Sequence, residues 1–229
     1  MPLPDSAPRT YNAAQPFYSD DANQVVAWLV KMWEALGKEG FLFIDDFLGT
    51  ALPPSSEQWA VTTTVGSQTQ TRDDADAYGL LVLRPEAGER DRLQSHRFLF
   101  TGKTFRLAIR LRRYLALQAG DEVNVGLGGF AGGVIQLRAR HGHPTYELVD
   151  DGGSVLEDSN TTVNGTFVLF ELRSDGTNIE AWINGTKFWA DALPNPLWTA
   201  IDLNILRDAG SANPIQFEVD FVKLWIATR

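Results

Sequence analysis

The chain has 229 residues, of which 44% are hydrophobic and 21% charged, a composition typical of a globular protein with a sizeable core. The formal net charge of −9 argues against binding of nucleic acid through overall charge, so we expect no nucleic-acid partner. There is no cysteine, which excludes disulfide bonds and thiolate metal ligands, and no apolar run approaches the ~20 residues that a membrane-spanning helix needs.

The first 40 residues differ in composition and hydrophobic pattern from the rest of the chain. Prolines in residues 1–18 predict an extended arm without a core of its own. A short amphipathic helix is predicted next, with Asp21 as N-cap, Gln24 completing a capping box and Gly37 at its end. Its apolar stripe and two adjacent tryptophans must be buried against either the same domain or another chain. These residues are Val25, Trp28, Leu29, Met32, Trp33 and Leu36.

From Phe41 onward, short segments with alternating or β-branched side chains predict strands separated by turns. The clearest segment is 166–190, where Asp175-Gly176 and Asn184-Gly185 predict hairpin turns because glycine tolerates positive φ. The other predicted strands lie in segments 41–49, 59–66, 78–85, 105–115, 122–128, 134–140, 201–207 and 215–227. Roughly ten to thirteen strands without a later helix predict an all-β, antiparallel jelly-roll sandwich in residues 41–229, preceded by the arm and anchoring helix of residues 1–40.

The hairpin sequence FELRSDGTNIEAWINGTKF and the terminal strand EVDFVKLWIA resemble the concanavalin A-like lectin/glucanase jelly-roll superfamily. An early DDF…W pattern, formed by Asp45, Asp46, Phe47 and Trp59, is similar to another feature of that superfamily. The resemblance covers residues 41–229 and implies the fold. It leaves the function open, because the same fold carries lectins, glycosidases, lyases and structural modules.

A second resemblance concerns the segment QPFYSDDANQVVAWLVKMWEAL, which is similar to N-terminal anchors of tailed-bacteriophage virion proteins. It implies a location in the virion and binding to other capsid or tail proteins through residues 1–40. A homo-oligomer is expected if the helix stripe is shared, with a trimer as the working hypothesis. The predicted anchoring residues are the helix stripe named above together with Pro16, Phe17 and Tyr18.

In the glucanases of this superfamily, three carboxylate residues occupy alternate positions along one strand. In this chain Glu218 and Asp220 alternate, but Val222 occupies the third position, and Glu171 is isolated among apolar residues. The pattern is therefore incomplete. We expect a non-enzymatic virion structural or attachment protein of the capsid-decoration, head-fibre or tail-fibre type. The alternatives are a carbohydrate-binding module and a degenerate glycoside hydrolase.

The resemblance also implies candidates for one metal ion. In some relatives an aspartate of the closing strand helps to hold a structural calcium, which makes Asp220, with Asp45 or Asp46, the calcium candidates. Calcium takes six or more oxygen ligands, so solvent-facing acids are the alternative interpretation. His141 and His143 are interpreted as part of a solvated turn, because a zinc site needs at least a third ligand. No other cofactor is expected.

Two strands carry arginines on one face, namely Arg106, Arg110 and Arg112 on the first and Arg138 and Arg140 on the second. If the two strands are neighbours, they form a basic surface suited to an acidic glycan or an acidic protein. The alternative is an ordinary outward face with acids from adjacent strands. For the carbohydrate-binding alternative, host-surface glycans are the expected ligands, and Trp182, Trp189 and Trp198 are the candidates for stacking on sugar rings.

Overall fold

Across the residues that it describes, the computed structural model is all-β, with sixteen strands in two antiparallel sheets. The structure describes residues 40–45, 59–63, 69–71, 80–113, 115–128, 135–150, 152–195 and 197–227. The predicted antiparallel jelly-roll sandwich is confirmed, and no helix long and apolar enough to cross a membrane occurs in these ranges.

The first sheet, called sheet A, has eight strands in the order β14-β13-β12-β7-β16-β4-β3, with β1 also paired to β16. Its strands are β1 (Gly40–Asp45), β3 (Thr69–Thr71), β4 (Leu80–Leu83), β7 (Thr104–Arg113), β12 (Val168–Asp175), β13 (Asn178–Ile183), β14 (Thr186–Ala192) and β16 (Phe217–Ala227). The centre of the sheet is therefore built from chain segments far apart in sequence.

The second sheet, called sheet B, also has eight strands, in the order β11-β10-β9-β8-β15-β5-β2, with β6 paired to β15. Its strands are β2 (Trp59–Thr63), β5 (Arg90–Ser95), β6 (Phe98–Leu99), β8 (Glu122–Gly128), β9 (Ile135–Arg140), β10 (Thr145–Val149), β11 (Val155–Thr162) and β15 (Trp198–Leu206). β15 is the central strand to which β8 and β5 are both hydrogen-bonded.

The core lies between the apolar faces of the two sheets. In β7, Leu107 and Ile109 are fully buried and alternate with the less buried Arg106, Ala108 and Arg110, as a strand with one buried face requires. Leu203 and Ile205 contribute the corresponding positions of β15. These side chains belong to one contiguous hydrophobic cluster, so each strand has a second, outer face available for other purposes.

The two predicted hairpins are confirmed. Gly176 has φ 94° in the turn between β12 and β13, and Asn184 and Gly185 have φ 50° and 79° between β13 and β14. Asp175 accepts hydrogen bonds from the amides of Thr177 and Asn178, which closes the first turn. Five strands were not predicted: β3, β5, β6, β10 and β11. β3, β6 and β10 are short, with three, two and five residues, and β5 and β11 are rich in charged or polar residues.

The predicted arm and helix of residues 1–39 lie outside the described residues, and so do all nine anchoring residues. The domain boundary at residue 40 therefore stays a prediction. Asp46 and the side chains of Asp45 and Trp198 lie outside the described part of the chain as well.

Candidate functional site

The outer face of sheet B carries an unusual number of buried or half-buried polar side chains. They alternate with core residues along five strands and therefore share one face. This polar face consists of Arg92, Gln94, Asn124, Gln136, Arg138, Glu147, Asp202 and Asn204. Because buried polar groups are costly unless they are hydrogen-bonded, this concentration makes the face a candidate site.

Two glycines of β8 open space in the middle of the polar face. A Cβ at Gly128 would fall 2.3 Å from Gln136 Nε2, and a Cβ at Gly126 would fall 2.6 Å from the carbonyl oxygen of Ile135. Gly126 pairs with Gln136 on one side and with Asp202 on the other. The absence of side chains at these two positions of β8 lets the Gln136 amide lie across the strand.

A hydrogen-bond network uses this space to connect three strands. Gln136 Nε2 donates to Asp202 Oδ2 over 3.0 Å, and Arg92 Nε donates to Asp202 Oδ1 over 2.6 Å. Both oxygens of Asp202 are therefore engaged, and its side chain is only 2% exposed. Burial raises the pKa of Asp202, although Arg92 and Gln136 act in the opposite direction. Asp202 is thus a buried acid at the centre of the face.

A second cluster surrounds Glu147 at the β9–β10 end of the polar face. Glu147 accepts hydrogen bonds from Arg138 and Arg140, whose Nε atoms lie 3.2 and 2.8 Å from Oε2. His143 Nε2 lies 3.7 Å from Glu147 Oε1 and 3.6 Å from Asp158 Oδ2. Burial acts to raise the pKa of Glu147, but the two arginines and His143 outweigh it and hold the pKa below its ordinary value. The neighbours of Glu147 therefore favour its charged form.

Between these two clusters lie two asparagines in direct register, Asn124 on β8 and Asn204 on β15. Asn124 Nδ2 donates to Glu122 over 2.6 Å, which orients the amide. The Oδ1 atoms of Asn124 and Asn204 are both buried and have no hydrogen-bond donor. An unpaired buried acceptor costs about 1–3 kcal/mol. Both oxygens are shielded from solvent, although the two side chains are partly exposed at the centre of the polar face.

The carboxylates of the polar face do not form the pair that glycoside hydrolysis uses. Glu147 and Asp202 lie three strands apart, which places their strands about 14 Å from each other at the usual strand spacing. A retaining pair needs a separation of about 5 Å and an inverting pair about 6.5–9.5 Å. The described part of the polar face can thus bind hydroxyl-rich molecules by hydrogen bonds, but these two acids cannot flank one bond.

The predicted basic surface is not present. Arg106, Arg110 and Arg112 lie on β7 in sheet A, whereas Arg138 and Arg140 lie on β9 in sheet B, so the two groups are not neighbours. The prediction failed because residue spacing shows which face of a strand is polar but not which strands pair.

The arginines of β7 are paired instead with acids of adjacent strands. Arg106 contacts Glu171 of β12, Arg110 contacts Asp220 of β16, and Arg112 Nε lies 2.6 Å from Glu218. The guanidinium groups of Arg110 and Arg112 lie 4.2 and 4.4 Å from the ring centroid of Phe167. This face of sheet A therefore matches the ordinary outward face that was the alternative interpretation.

The three candidate tryptophans do not form a shared platform. Trp182 lies on the outer face of sheet A, where the Arg173 guanidinium covers its ring at 4.1 Å from the centroid. Trp189 of β14 is half-buried and packs against the core. The side chain of Trp198 lies outside the described residues. The two tryptophans that are described are thus on different sides of the sheet.

The calcium candidates are only partly described. β1, which contains Asp45, does pair with β16, which contains Asp220. The carboxylate of Asp220, however, is used by Arg110, and no group of three or more potential metal ligands is found among the described residues. His141 and His143 lie in the turn between β9 and β10, and His143 also contacts the two carboxylates described above.

A separate cavity of about 560 Å³ lies at the β12–β13–β14 edge of sheet A. It is lined by Thr104, Arg173, Ser174, Asp175, Asn178, Glu180, Ala190, Asp191 and Ala192. Its acidic side chains are largely exposed, and Asp175 and Glu180 are engaged in turn and cross-strand contacts. It lies on the other sheet from the polar face and shares no residue with it.

Sequence reasoning missed most of the polar face, including Arg92, Gln94, Asn124, Gln136 and Asp202. One signal was available in β15, where Asp202 and Asn204 alternate with Ile201, Leu203 and Ile205. Such alternation is equally typical of an ordinary solvent-facing strand. Only the burial of these polar side chains in the folded protein distinguishes the two cases.

No protein-family model and no curated protein matches this sequence. The solved structures that match have concanavalin A-like jelly-roll folds of the kind found in glycoside hydrolases and polysaccharide lyases. The resemblance of residues 41–229 to that superfamily is thereby confirmed at the level of the fold. The resemblance of the N-terminal segment to phage anchors receives no support from these structures.

Three of these structures illustrate the similarity. The alginate lyase AlgAT5 of polysaccharide lyase family 7 is 15% identical, with a TM-score of 0.54 over 66% of this chain and 79% of the lyase. A glycosyl hydrolase family 16 protein from Mycobacterium smegmatis is 19% identical, with a TM-score of 0.57 over 80% and 99%. A β-1,3-glucanase from Mycobacterium marinum is 18% identical, with a TM-score of 0.55 over 80% and 97%.

These comparisons contradict the prediction that the chain is not an enzyme, because the similar structures are described as glycoside hydrolases and lyases. The prediction relied on an incomplete carboxylate pattern in Glu218 and Asp220. Both residues are paired with arginines of β7 on the outer face of sheet A, which is not the polar face. That strand therefore carries no information about catalysis elsewhere in the fold. At these low identities the similarity itself establishes the fold alone.

Proposed function

We propose that this chain is a carbohydrate-active protein that binds a glycan along the polar face of sheet B. The observation that carries the proposal is the continuous set of hydrogen-bonding side chains across β10, β9, β8, β15 and β5, with the partly exposed side chains of Asn124 and Asn204 in its middle. Sugars present many hydroxyl groups on a flat chain, and a sheet face with regularly spaced polar groups is complementary to such a ligand. The glycan-active proteins among the similar structures support this proposal.

The site is preorganised, which favours binding of a weakly interacting ligand. Arg92 and Gln136 are held by Asp202, and Arg138 is held by Glu147, so these side chains lose little freedom when a ligand arrives. The backbone adds rigidity, because all five strands are paired in the antiparallel sheet. Preorganised hydrogen-bonding groups of this kind determine orientation and specificity more than overall affinity.

Binding can be tested with a panel of soluble polysaccharides and the full chain. Asn124→Leu together with Asn204→Leu replaces the two central amides by apolar side chains branched at the same carbon. Arg106→Ala on the outer face of sheet A serves as the control, because its side chain is 56% exposed and lies on the other sheet. We expect the double variant to lose binding and the control to retain it. Binding that survives the double variant, or no binding by the unmodified chain, would refute the proposal.

A second candidate function is cleavage of the bound glycan, which the hydrolases and lyases among the similar structures favour. Glu147 and Asp202 are too far apart to act together as a hydrolytic carboxylate pair. Turnover is therefore measured in the same panel, by new reducing ends for hydrolysis and by ultraviolet absorbance of unsaturated products for elimination. Product formation by the purified chain that persists in Arg106→Ala would support this function. Its absence across all bound glycans would reject it.

A further inference from the structure

We propose that Arg92 of the polar face and its neighbour Arg90 bind an anionic group of the glycan, either a carboxylate or a sulfate. This inference rests on the proposed binding of a glycan at that face, and it adds the class of ligand and the residues that recognise it. Carboxylate and sulfate present the same chemistry to a protein, namely negatively charged oxygen acceptors. Glycans that carry one or the other distinguish the two sources.

The two arginines occupy alternate positions of β5 and therefore lie on the same side of sheet B. Arg92 is paired with Asn204 of β15, and Arg90 is paired with the next outward position of that strand. Asp91 between them lies on the core side, where it is fully buried and its Oδ2 accepts a hydrogen bond from the amide of Arg84. Residues two apart on a strand are separated by about 7 Å, so both guanidinium groups can approach one ligand.

Arg92 is held in an orientation that suits a bidentate contact. Its Nε donates to Asp202 Oδ1 over 2.6 Å, and no acceptor among the described residues is hydrogen-bonded to either Nη atom. The Arg92 side chain is 22% exposed, whereas that of Asp202 is only 2% exposed. The guanidinium group can therefore offer its Nη edge to a ligand while Nε stays bonded to the buried acid. Two parallel donors in one plane match two oxygens of a carboxylate or a sulfate.

Arg90 gives this end of the polar face an excess of positive charge. It is exposed, and it has no ion pair or side-chain hydrogen bond with a described residue. The outer positions of β5 and β15 thus carry two arginines and one acid, Asp202, which is already bonded to Arg92. The next acid across the sheet, Glu122 of β8, is paired directly with Arg140. This local excess attracts an anion, although the whole chain has a formal charge of −9.

The arginines at the opposite end of the polar face are less suited to the same role. Arg140 uses Nε and Nη2 on Glu147, so it has no free pair of parallel donors. Arg138 is only 9% exposed, and its Nη1 donates to the carbonyl oxygen of Gly153 over 3.0 Å. Asp158, which is 38% exposed, adds a negative charge beside this cluster. The anionic group is therefore expected at the β5 end.

The experiment compares pairs of oligosaccharides that have equal length and linkage and differ in one substituent. The uronate pairs are oligomers of glucose and glucuronate, of mannose and mannuronate, and of galactose and galacturonate. The sulfate pair is a galactose oligomer with and without sulfate esters. Binding to the full chain is measured by calorimetry at low salt, and we expect the anionic member of at least one pair to bind at least about tenfold more tightly than its neutral partner. A preference confined to uronates identifies a carboxylate ligand, and one confined to the sulfated oligomer identifies a sulfate.

Variants locate the preference at the two arginines. Arg90→Gln removes the charge of an exposed side chain and is expected to weaken binding of the anionic oligomer about tenfold, with little change for the neutral one. Arg92→Lys keeps a cation beside Asp202 but lacks the planar pair of donors, so the preference should fall by a similar factor. Lys187→Gln removes one positive charge from sheet A, where the side chain is 47% exposed, and should leave both affinities unchanged. Thermal melting confirms that each variant is folded.

The outcomes separate this inference from the proposed function. Equal or tighter binding of the neutral member in every pair, abolished by Asn124→Leu with Asn204→Leu, would overturn the anionic preference and leave glycan binding intact. Failure of every neutral and anionic oligomer to bind would overturn both. An anionic preference that persists in Arg90→Gln and in Arg92→Lys would show that these arginines are not the determinant, and would also overturn the inference.

Discussion

Gln136 Nε2 on β9 donates a hydrogen bond to Asp202 Oδ2 on β15 over 3.0 Å, although β8 lies between these two strands. The contact crosses β8 at Gly126, which pairs with both residues and has no side chain to block it. A bond of this kind joins alternate strands, not adjacent ones. It makes the outer face of sheet B a connected network, and it makes the glycines of β8 part of that network.

The first prediction concerns Gly128. Gly128→Ala places a Cβ 2.3 Å from Gln136 Nε2, so the amide must leave its place near Asp202. We expect the free energy of unfolding to fall by about 1–3 kcal/mol, from crowding and the lost hydrogen bond, and glycan binding to weaken. Gly152→Ala is the control, since its Cβ would make only ordinary contacts at 3.5 Å or more. Urea denaturation measures both variants, and equal stability of the two would contradict the prediction.

The second prediction concerns the ion pair between Arg92 and Asp202. Arg92→Met leaves a buried carboxylate without its cation, so we expect the free energy of unfolding at neutral pH to fall by about 3–5 kcal/mol. Adding Asp202→Asn to Arg92→Met removes the unpaired charge and should recover much of this loss. By contrast, Lys187→Ala removes one partner of the largely exposed pair with Glu180 and should change the free energy of unfolding much less. A double variant no more stable than Arg92→Met would show that the buried charge is not the cause.

The third prediction is the pH dependence that Asp202 imposes on stability. Its pKa is raised in the folded protein, whereas the ordinary aspartate pKa of about 3.9 applies in the unfolded chain. Above about pH 4 the folded state therefore binds the proton of Asp202 more tightly than the unfolded chain does, which stabilises the fold. This stabilisation is lost as the pH rises through the raised pKa of Asp202. Asp202→Asn should remove that dependence, so its stability relative to the unmodified chain should increase with pH in this range. Asp191→Asn, at an exposed position, is the control, and parallel curves for all three proteins would contradict the prediction.

The fourth prediction has the opposite sign and concerns Glu147. Its pKa is lowered in the folded protein, so its stabilising contribution is present above the ordinary glutamate pKa of about 4.3 and is lost as the pH falls through the lowered value. Glu147→Gln should lower the free energy of unfolding at neutral pH by about 2–3 kcal/mol, because Arg138 and Arg140 lose their shared partner. The difference from the unmodified chain should vanish in acid. Glu86→Gln changes an exposed residue and should show no such convergence.

The fifth prediction concerns Trp182, which was a candidate for sugar stacking. Its ring lies on sheet A beneath the Arg173 guanidinium, and its Nε1 donates to Glu180 over 3.0 Å. Trp182→Ala should therefore leave the glycan affinity unchanged, in contrast to the asparagine variants of the polar face. Calorimetry with the tightest-binding glycan of the panel measures both. A tenfold loss of affinity in Trp182→Ala would place the binding site on sheet A instead.

The sequence alone was sufficient for the class of fold and for its most local features. Asp175-Gly176 and Asn184-Gly185 predicted two hairpins correctly, because turn geometry depends on which residues tolerate positive φ and on side-chain bonds to nearby amides. In β7 and β15, apolar residues at alternate positions predicted that each strand has one buried face, and the reason is again local. A period of two is a property of the extended chain and needs no partner.

Only the tertiary structure decided which polar faces meet and which charges are paired. Arg106 and Arg138 have the same local pattern, yet they lie in different sheets, because strand order depends on long-range pairing that no local pattern records. Gln136 and Asp202 are 66 residues apart in sequence and come together because β8 pairs with both of their strands. The burial that raises the pKa of Asp202 arises from that assembly. The site is therefore a property of strand order, whereas the strands themselves follow from the sequence.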